Sequence, residues 1–165
     1  MLQSELKKFI TRHEKWLKGK KGGECADLSY ANLRSADLSG AKNLETVYYN
    51  ELTSMFALIC PEKGSFTAFK KLQNNIIAEL FIPAKAKRSS ATTRKCRASE
   101  AKVVKMWNYK TQEVVTIGIS QNDIYFIYKT GETVKPTTPF DENRWNECSS
   151  GIHFFMTEKE AINYN

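Results

Sequence analysis

ADLSY-ANLRS-ADLSG-AKNLE, residues 26–45, sets the first constraint on the fold. Ala26, Ala31, Ala36 and Ala41 recur every five residues, Leu28, Leu33 and Leu38 keep the same phase, and Asp27, Asn32 and Asp37 sit between them. Leu44 comes one step late, so the register slips at the end. A five-residue period fits neither a 3.6-residue helix nor a strand that alternates every second residue. Self-similarity at a fixed short interval marks a solenoid. A solenoid coil buries its apolar side only against neighbours, so three units need other parts of the chain to close them.

The stretch resembles the pentapeptide-repeat family, built from A(D/N)LXX units. The resemblance implies a right-handed, four-sided β-helix, one wall per unit, with leucine pointing inward and alanine allowing tight corners. Three units make at most about one coil, a very short quadrilateral stub. Long members of that family include acidic DNA mimics; this stretch is short and the chain is basic, which sets it apart from them.

Outward from the repeats, residues 2–19 predict an amphipathic helix. Leu2, Leu6, Phe9, Ile10, His13, Trp16 and Leu17 recur at three- and four-residue steps. Gly22 and Gly23 are its stop signal. The helix is the natural lid on one end of the repeats, with VYYNELTSMFALI (47–59) closing the other. His13, on the apolar stripe, reads as a packed structural histidine.

From Cys60 the period changes. CPEKGS is a turn cluster, and SFTAFKKL and NNIIAELFIP read as strands, the second stopped by Pro83. Lys87–Lys95 reads as a loop with room for one helical turn capped by Ser89 or Ser90. Cys96–Trp107 predicts one further strand. VVTIGI and IYFIYK are β-branched and aromatic, joined by a turn at Ser120–Asp123. VKPTTPFDENRW is an extended loop, ECSSGIHFF holds a short strand, and Thr157 with Glu160 forms a capping box that opens a short helix. The expected fold is α+β, mainly β: an N-terminal helix (1–22), the repeat stub and its connection (23–58), and a compact antiparallel β-rich unit (59–165) with a short C-terminal helix.

Two motifs, AKRSSATTRKCRASEAKV and FDENRWNECSSGIHFF with TEKEA after it, together with CPEKGSFTAFKK resemble an uncharacterised domain that accompanies pentapeptide repeats, largely in tailed-phage and mobile-element proteins. The resemblance covers about residues 60–165 and brings no known activity. It implies a phage-borne accessory protein in a bacterial cytoplasm, where many such proteins counter host defence.

The chain has 165 residues, 41% hydrophobic, and a net charge of +7. That length buries a core without disulfides or metal, and the charge favours anionic partners. Cys25, Cys60, Cys96 and Cys148 show no metal-ligand spacing and only two histidines are present, so no metal or cofactor is expected. MLQSELKKFI is charged where a secretory signal is apolar, and no run is long enough to span a bilayer. These features point to a cytoplasmic protein with free thiols and no membrane partner. The open end of a short solenoid also offers a surface for homodimer formation.

The excess charge gathers in PAKAKRSSATTRKCRASEAKVVK (83–105), where Lys85, Lys87, Arg88, Arg94, Lys95, Arg97, Lys102 and Lys105 meet a single acid, Glu100. Arg88, Arg94 and Arg97 offer bidentate forks for phosphate, and Lys87 and Lys95 add point charges. Ser89, Ser90, Thr92 and Thr93 add neutral hydrogen bonds, and Trp145 and His153 complete the candidate ligand site. Two plainer alternatives stand beside this one: a solvated basic face, or pairing of some of these arginines with Asp141, Glu142 and Glu147. No P-loop is present.

The first functional expectation is therefore non-enzymatic binding of a phosphate-bearing ligand, nucleotide or nucleic acid, including sequestration of a defence signal. The alternatives are a protein-binding inhibitor of a host defence or regulatory factor, and an NAD- or nucleotide-acting enzyme using Glu147, His153, Thr92 and Thr93.

Overall fold

The computed structural model describes residues 2–38, 41, 43–50, 52–53 and 58–164. Part of the apolar run 47–59 lies outside them. The chain is mainly β with two helices, and its named strands pair antiparallel throughout.

Helix α1 spans Gln3–Leu17 and ends two residues before Gly19, whose φ of 60° lets the chain turn left-handed. The stop is thus Gly19, earlier than the Gly22–Gly23 pair. Leu6 and His13 are buried, whereas Leu2, Phe9, Trp16 and Leu17 remain exposed. The apolar stripe is wider than the small surface it covers. His13 is tied on both nitrogens. Nδ1 accepts from Ala26 N at 3.3 Å, so Nε2 carries the proton and donates to Thr46 Oγ1 at 2.8 Å.

The repeat leucines Leu28, Leu33 and Leu38 are buried, with Leu44 and Val47 beside them. Each unit turns alike: Ala31 N, Ala36 N and Ala41 N donate at 3.0 Å to the carbonyls of Leu28, Leu33 and Leu38. Tyr30 and Ser35, at equivalent places, have φ near 60°. This core does not stop at the repeats. Leu6, the leucines, Ala91 and Trp145 form one cluster, so the β-rich unit packs directly against residues 26–38.

In the β-rich unit, β1 (Phe66–Lys71) and β2 (Ile76–Ile82) form a hairpin, with left-handed Asn74 and Asn75 at its turn. Lys87–Lys95, read from the sequence as a loop, is not loop throughout. It contains β3 (Arg88–Ser90), paired with β4 (Cys96–Ala98). Cys96–Trp107 is likewise two strands in different sheets, because the chain bends at Ser99–Glu100 before β5 (Ala101–Asn108) joins β2. A bulge opposite Glu79/Leu80 shifts the phase of β5, so Val103 and Met106 both reach the main core.

Strands β6 (Val114–Val115), β7 (Ile117–Ile119), β8 (Ile127–Lys129) and β9 (Thr133–Val134) follow, then β10 (Ile152–Phe154) and α2 (Glu158–Asn163). The predicted capping box is present: Thr157 Oγ1 accepts from Glu160 N, and Glu160 accepts from Thr157 N, both at 3.2 Å. Sheet β10-β4-β3 faces the β1-β2-β5 sheet across a core of Ala68, Leu80, Ala98, Met106 and Phe154. At Gly118 a Cβ would lie 2.6 Å from Leu72 Cδ1, so a larger residue would displace that buried side chain. The other side of the large sheet packs Ile77 and Trp107 with Phe155 and with Ala161 of α2.

The outer edge of β1 positions the site. At Phe69 it exchanges two 2.8 Å bonds with Phe155, just after β10. At Leu72 it has passed to Ser120, just after β7, with Gln73 N donating to Ile119 O at 2.9 Å. Lys70 lies where the two partners diverge.

Candidate functional site

The eleven residues singled out in the sequence do not form one site. Arg88 uses all five of its N–H donors on main-chain oxygens, those of Ala86, Pro61, Gly64, Pro83 and Ala84. Arg97 is 2% exposed and clamps the 141–150 loop by donating to the carbonyls of Asp141, Asn143 and Ser150. Lys87 pairs with Glu142, and Arg94 with Glu160 at 2.6 Å. Ser90 Oγ accepts from Ile59 N, and Ser89 is buried. The guanidinium groups are thus bound within the protein, to carbonyls more than to acids.

Glu147 organises Thr92 and Thr93. Its Oε1 accepts from Thr92 N at 2.7 Å and Thr93 N at 2.9 Å, and its Oε2 from Thr93 Oγ1 at 2.9 Å. Thr92 Oγ1 in turn donates to Ala36 O, and Thr92 O accepts from Ser35 N at 2.8 Å. A cleft of about 380 Å³ lies along this seam, with Trp145 in its wall. Trp145 also packs with the repeat leucines under the Arg144 guanidinium, 4.6 Å from its ring centroid. The carboxylate and hydroxyls considered for acid–base catalysis thus line this cleft and tie Thr92 and Thr93 to the Ser35–Ala36 backbone. His153 is absent from the cleft lining.

Thr92, Thr93 and Trp145 share the lining of that cleft, and two further candidates meet around Lys70, a residue outside the eleven. Lys70, Lys95 and His153 line one small hollow of about 100 Å³ with Lys71, Cys148 and Asn122. A neighbouring cavity of about 360 Å³ shares Lys70, His153, Cys148 and Asn122, and its wall adds Phe126 and Tyr128. Lys70 Nζ donates to His153 O at 3.2 Å and lies 5.8 Å from the Tyr128 ring centroid. Lys95 Nζ stands 3.2 Å from Cys148 Sγ and 5.8 Å from the Tyr164 ring centroid. Lys71 is held elsewhere, donating to the oxygens of Ile162 and Tyr164 at the end of α2. Among the described residues, neither Lys70 nor Lys95 has a carboxylate within salt-bridge distance.

The environment separates the titrations of these groups. Burial, then the charge of Lys95, pushes Lys70 down to about 8. Burial also opposes the Lys95 charge, but Cys148, Tyr164 and Glu147 outweigh it and raise Lys95 above the ordinary lysine value. His153 is pushed down to about 4, by burial first and then by Lys70, Lys95 and Arg97, against its bond to Ser149. It is neutral at pH 7. Its Nε2 lies 2.9 Å from Ser149 O, which only accepts, so Nε2 carries the proton and Nδ1 keeps an open lone pair. The hollow therefore presents a retained ammonium, a second amine that gives up its proton more easily, and a neutral imidazole.

The sequence contained a signal for Lys70. Phe66, Ala68, Lys70 and Leu72 alternate, which puts a lysine in the phase of the core face. Cys148 had no comparable signal. Among the described residues no group of His, Cys, Asp and Glu is placed to hold a metal ion, and no helix is long and apolar enough to cross a membrane.

Residues 56–161 match a family of unknown function, DUF5758, and the chain belongs to that family. The match includes Lys70, Lys95, Cys148 and His153, so all of the hollow's lining except Tyr164 lies within the family's region. Comparisons with curated proteins and with solved structures gave no match.

Proposed function

We propose that this protein binds a small phosphate-bearing anion, in the simplest case a mononucleotide, in the cavity beside Lys70, Lys95 and His153, without catalytic turnover. The observation behind this reading is that two lysines face one hollow with no carboxylate from the described residues against either. Like charges held together in a partly buried place are unfavourable until an anion joins them. Ser120, Asn122 and Thr137 supply neutral hydrogen bonds in the larger cavity, and Phe126 and Tyr128 supply apolar surface for a base. A volume of about 360 Å³ suits a small ligand better than a polymer. The ligand class expected from the basic stretch is kept, and its place moves to the rear of that stretch.

The wider role follows from this reading. A phage-borne accessory protein that sequesters a host defence nucleotide in a bacterial cytoplasm agrees with the resemblance of its motifs and with the +7 charge. Residues 26–45 are read as one coil of a right-handed β-helix, supported by the repeated turns and by the parallel bridge between Asp27 and Tyr48.

Calorimetric titration with AMP, ADP and inorganic phosphate at two salt concentrations tests the proposal. Saturable binding with a shallow salt dependence is expected, weakened at least tenfold by Lys95→Ala. Binding that falls steeply with salt and extends to oligonucleotides would indicate nucleic acid instead. No binding, or binding indifferent to Lys95→Ala, overturns the reading.

The inhibitor reading has its own observation. Val114, Ile117, Ile124, Tyr125 and Ile127 are exposed around the β6–β8 ribbon, with Tyr125 at 87%. Capture of a host protein that is lost with Tyr125→Ser and unaffected by added nucleotide would favour it.

A further inference from the structure

Lys70 and Lys95 are chemically unlike although they share a hollow. Lys95 is held as an ammonium by the Cys148 sulfur and by nearby acidic groups. Lys70 has one hydrogen bond, to a carbonyl, and otherwise faces an aromatic ring and the cavity. An amine that is desolvated and set beside a second cation is the arrangement that makes lysine a nucleophile at neutral pH. Two like groups whose surroundings push their titrations in opposite directions divide into a base and a fixed charge.

We infer that Lys70 is a covalent site that forms an imine with an aldehyde or ketone carried on a phosphate-bearing anion, with Lys95 holding the anion. This deepens the proposed function and rests on its anion site. The neutral Lys70 amine adds to the carbonyl carbon, breaking the C=O π bond. The nitrogen's proton passes to the oxygen to give a carbinolamine. Loss of that oxygen as water, carrying the second amine proton, leaves the C=N bond. The sum is amine plus carbonyl to imine plus water, with no oxidant or reductant. His153 lines the same hollow, and its unprotonated Nδ1 would relay the proton. A carbonyl ligand without an anionic group would lack the hold of Lys95 and add slowly.

The depressed Lys70 value near 8 agrees with this assignment, since a useful fraction of amine exists at pH 7.

Substoichiometric pyridoxal 5′-phosphate, a phosphorylated aldehyde, followed by borohydride reduction and peptide mass spectrometry, tests the site. Lys70 should carry most of the label, at least tenfold above any exposed lysine, and the yield should fall as pH drops below about 8. Inorganic phosphate should protect it. Lys70→Arg, which keeps the charge but has no nucleophilic amine, should lose the label. Label scattered over exposed lysines, with AMP binding intact, overturns the covalent site and leaves the binding function standing. Absence of both labelling and AMP binding overturns both.

Discussion

Lys70 Nζ donates to the main-chain oxygen of His153 at 3.2 Å, and His153 Nε2 lies 2.9 Å from the main-chain oxygen of Ser149. A lysine on β1 thus holds β10, and a histidine on β10 holds the loop that precedes it. The hollow lies where β1 changes partner. Burial shifts both side chains toward their neutral forms, whereas a bound anion favours a charged Lys70, so stability and ligand binding pull in opposite directions at that residue.

Lys70→Met should show that opposition. Methionine fills similar volume without a charge, so folding stability at pH 7 is expected to rise by about 1 kcal/mol while anion binding is lost. The pH dependence gives a second check. Lys70 titrates near 8 when folded and near 10.5 when unfolded. Between those values the unfolded chain binds more protons, so stability rises with pH across that window. Urea midpoints at pH 7.5 and 9.5 should show this increment in the wild type and not in the methionine variant.

His153 governs the acid side. Its folded value is about 4 against an ordinary 6.5. As pH falls from 6.5 to 4 the unfolded chain takes up a proton that the folded chain refuses, so stability is lost across that interval. His153→Gln keeps a donor for Ser149 O and has no such titration. Its melting temperature should therefore fall less than that of the wild type between pH 7 and pH 5. Equal falls in both proteins would show that other groups dominate the acid response.

Arg88 separates structural from ligand-binding charge. Lysine has three donors, so Arg88→Lys satisfies at most three of the five main-chain oxygens that the guanidinium serves. The charge is unchanged. A loss of about 2–3 kcal/mol in chemical denaturation is expected, with AMP affinity altered less than twofold. A tenfold loss of affinity at full folding would return the ligand site to the basic stretch.

The outcome for the basic stretch also shows where sequence reading stops. α1, β1, β2 and the α2 capping box follow from spacing within a few residues, and each was legible. β3 and β4 have three residues each, too few for alternation to register. The cations of 83–105 were counted correctly as a cluster, but their partners include Gly64, Glu142, Ser150 and Glu160. Such long-range pairings leave no local mark. Lys70 did leave one, as a cation in the core phase of Phe66, Ala68 and Leu72. It was masked because Lys71 beside it makes the pair look like a solvated strand end.

Glu147 provides the test of how the repeats are held. Its carboxylate accepts three bonds of 2.7–2.9 Å from Thr92 and Thr93, and Thr92 is the residue that meets Ser35 and Ala36 across the seam. Removing the carboxylate leaves two backbone N–H groups without it in a partly buried place, a loss of about 2–3 kcal/mol. Because Thr92 bridges two cores, the loss should be local. In Glu147→Ala, hydrogen exchange at Ser35 N should accelerate, whereas amides of the β1–β2 hairpin, which pack on the other core, should exchange as before. The same variant addresses catalysis, since Glu147 lies outside the lining of the Lys70 hollow. Imine trapping at Lys70 should persist in Glu147→Ala at no less than half the wild-type yield. A collapse of trapping with Ser35 exchange unchanged would instead make Glu147 a participant in the chemistry and not a joint.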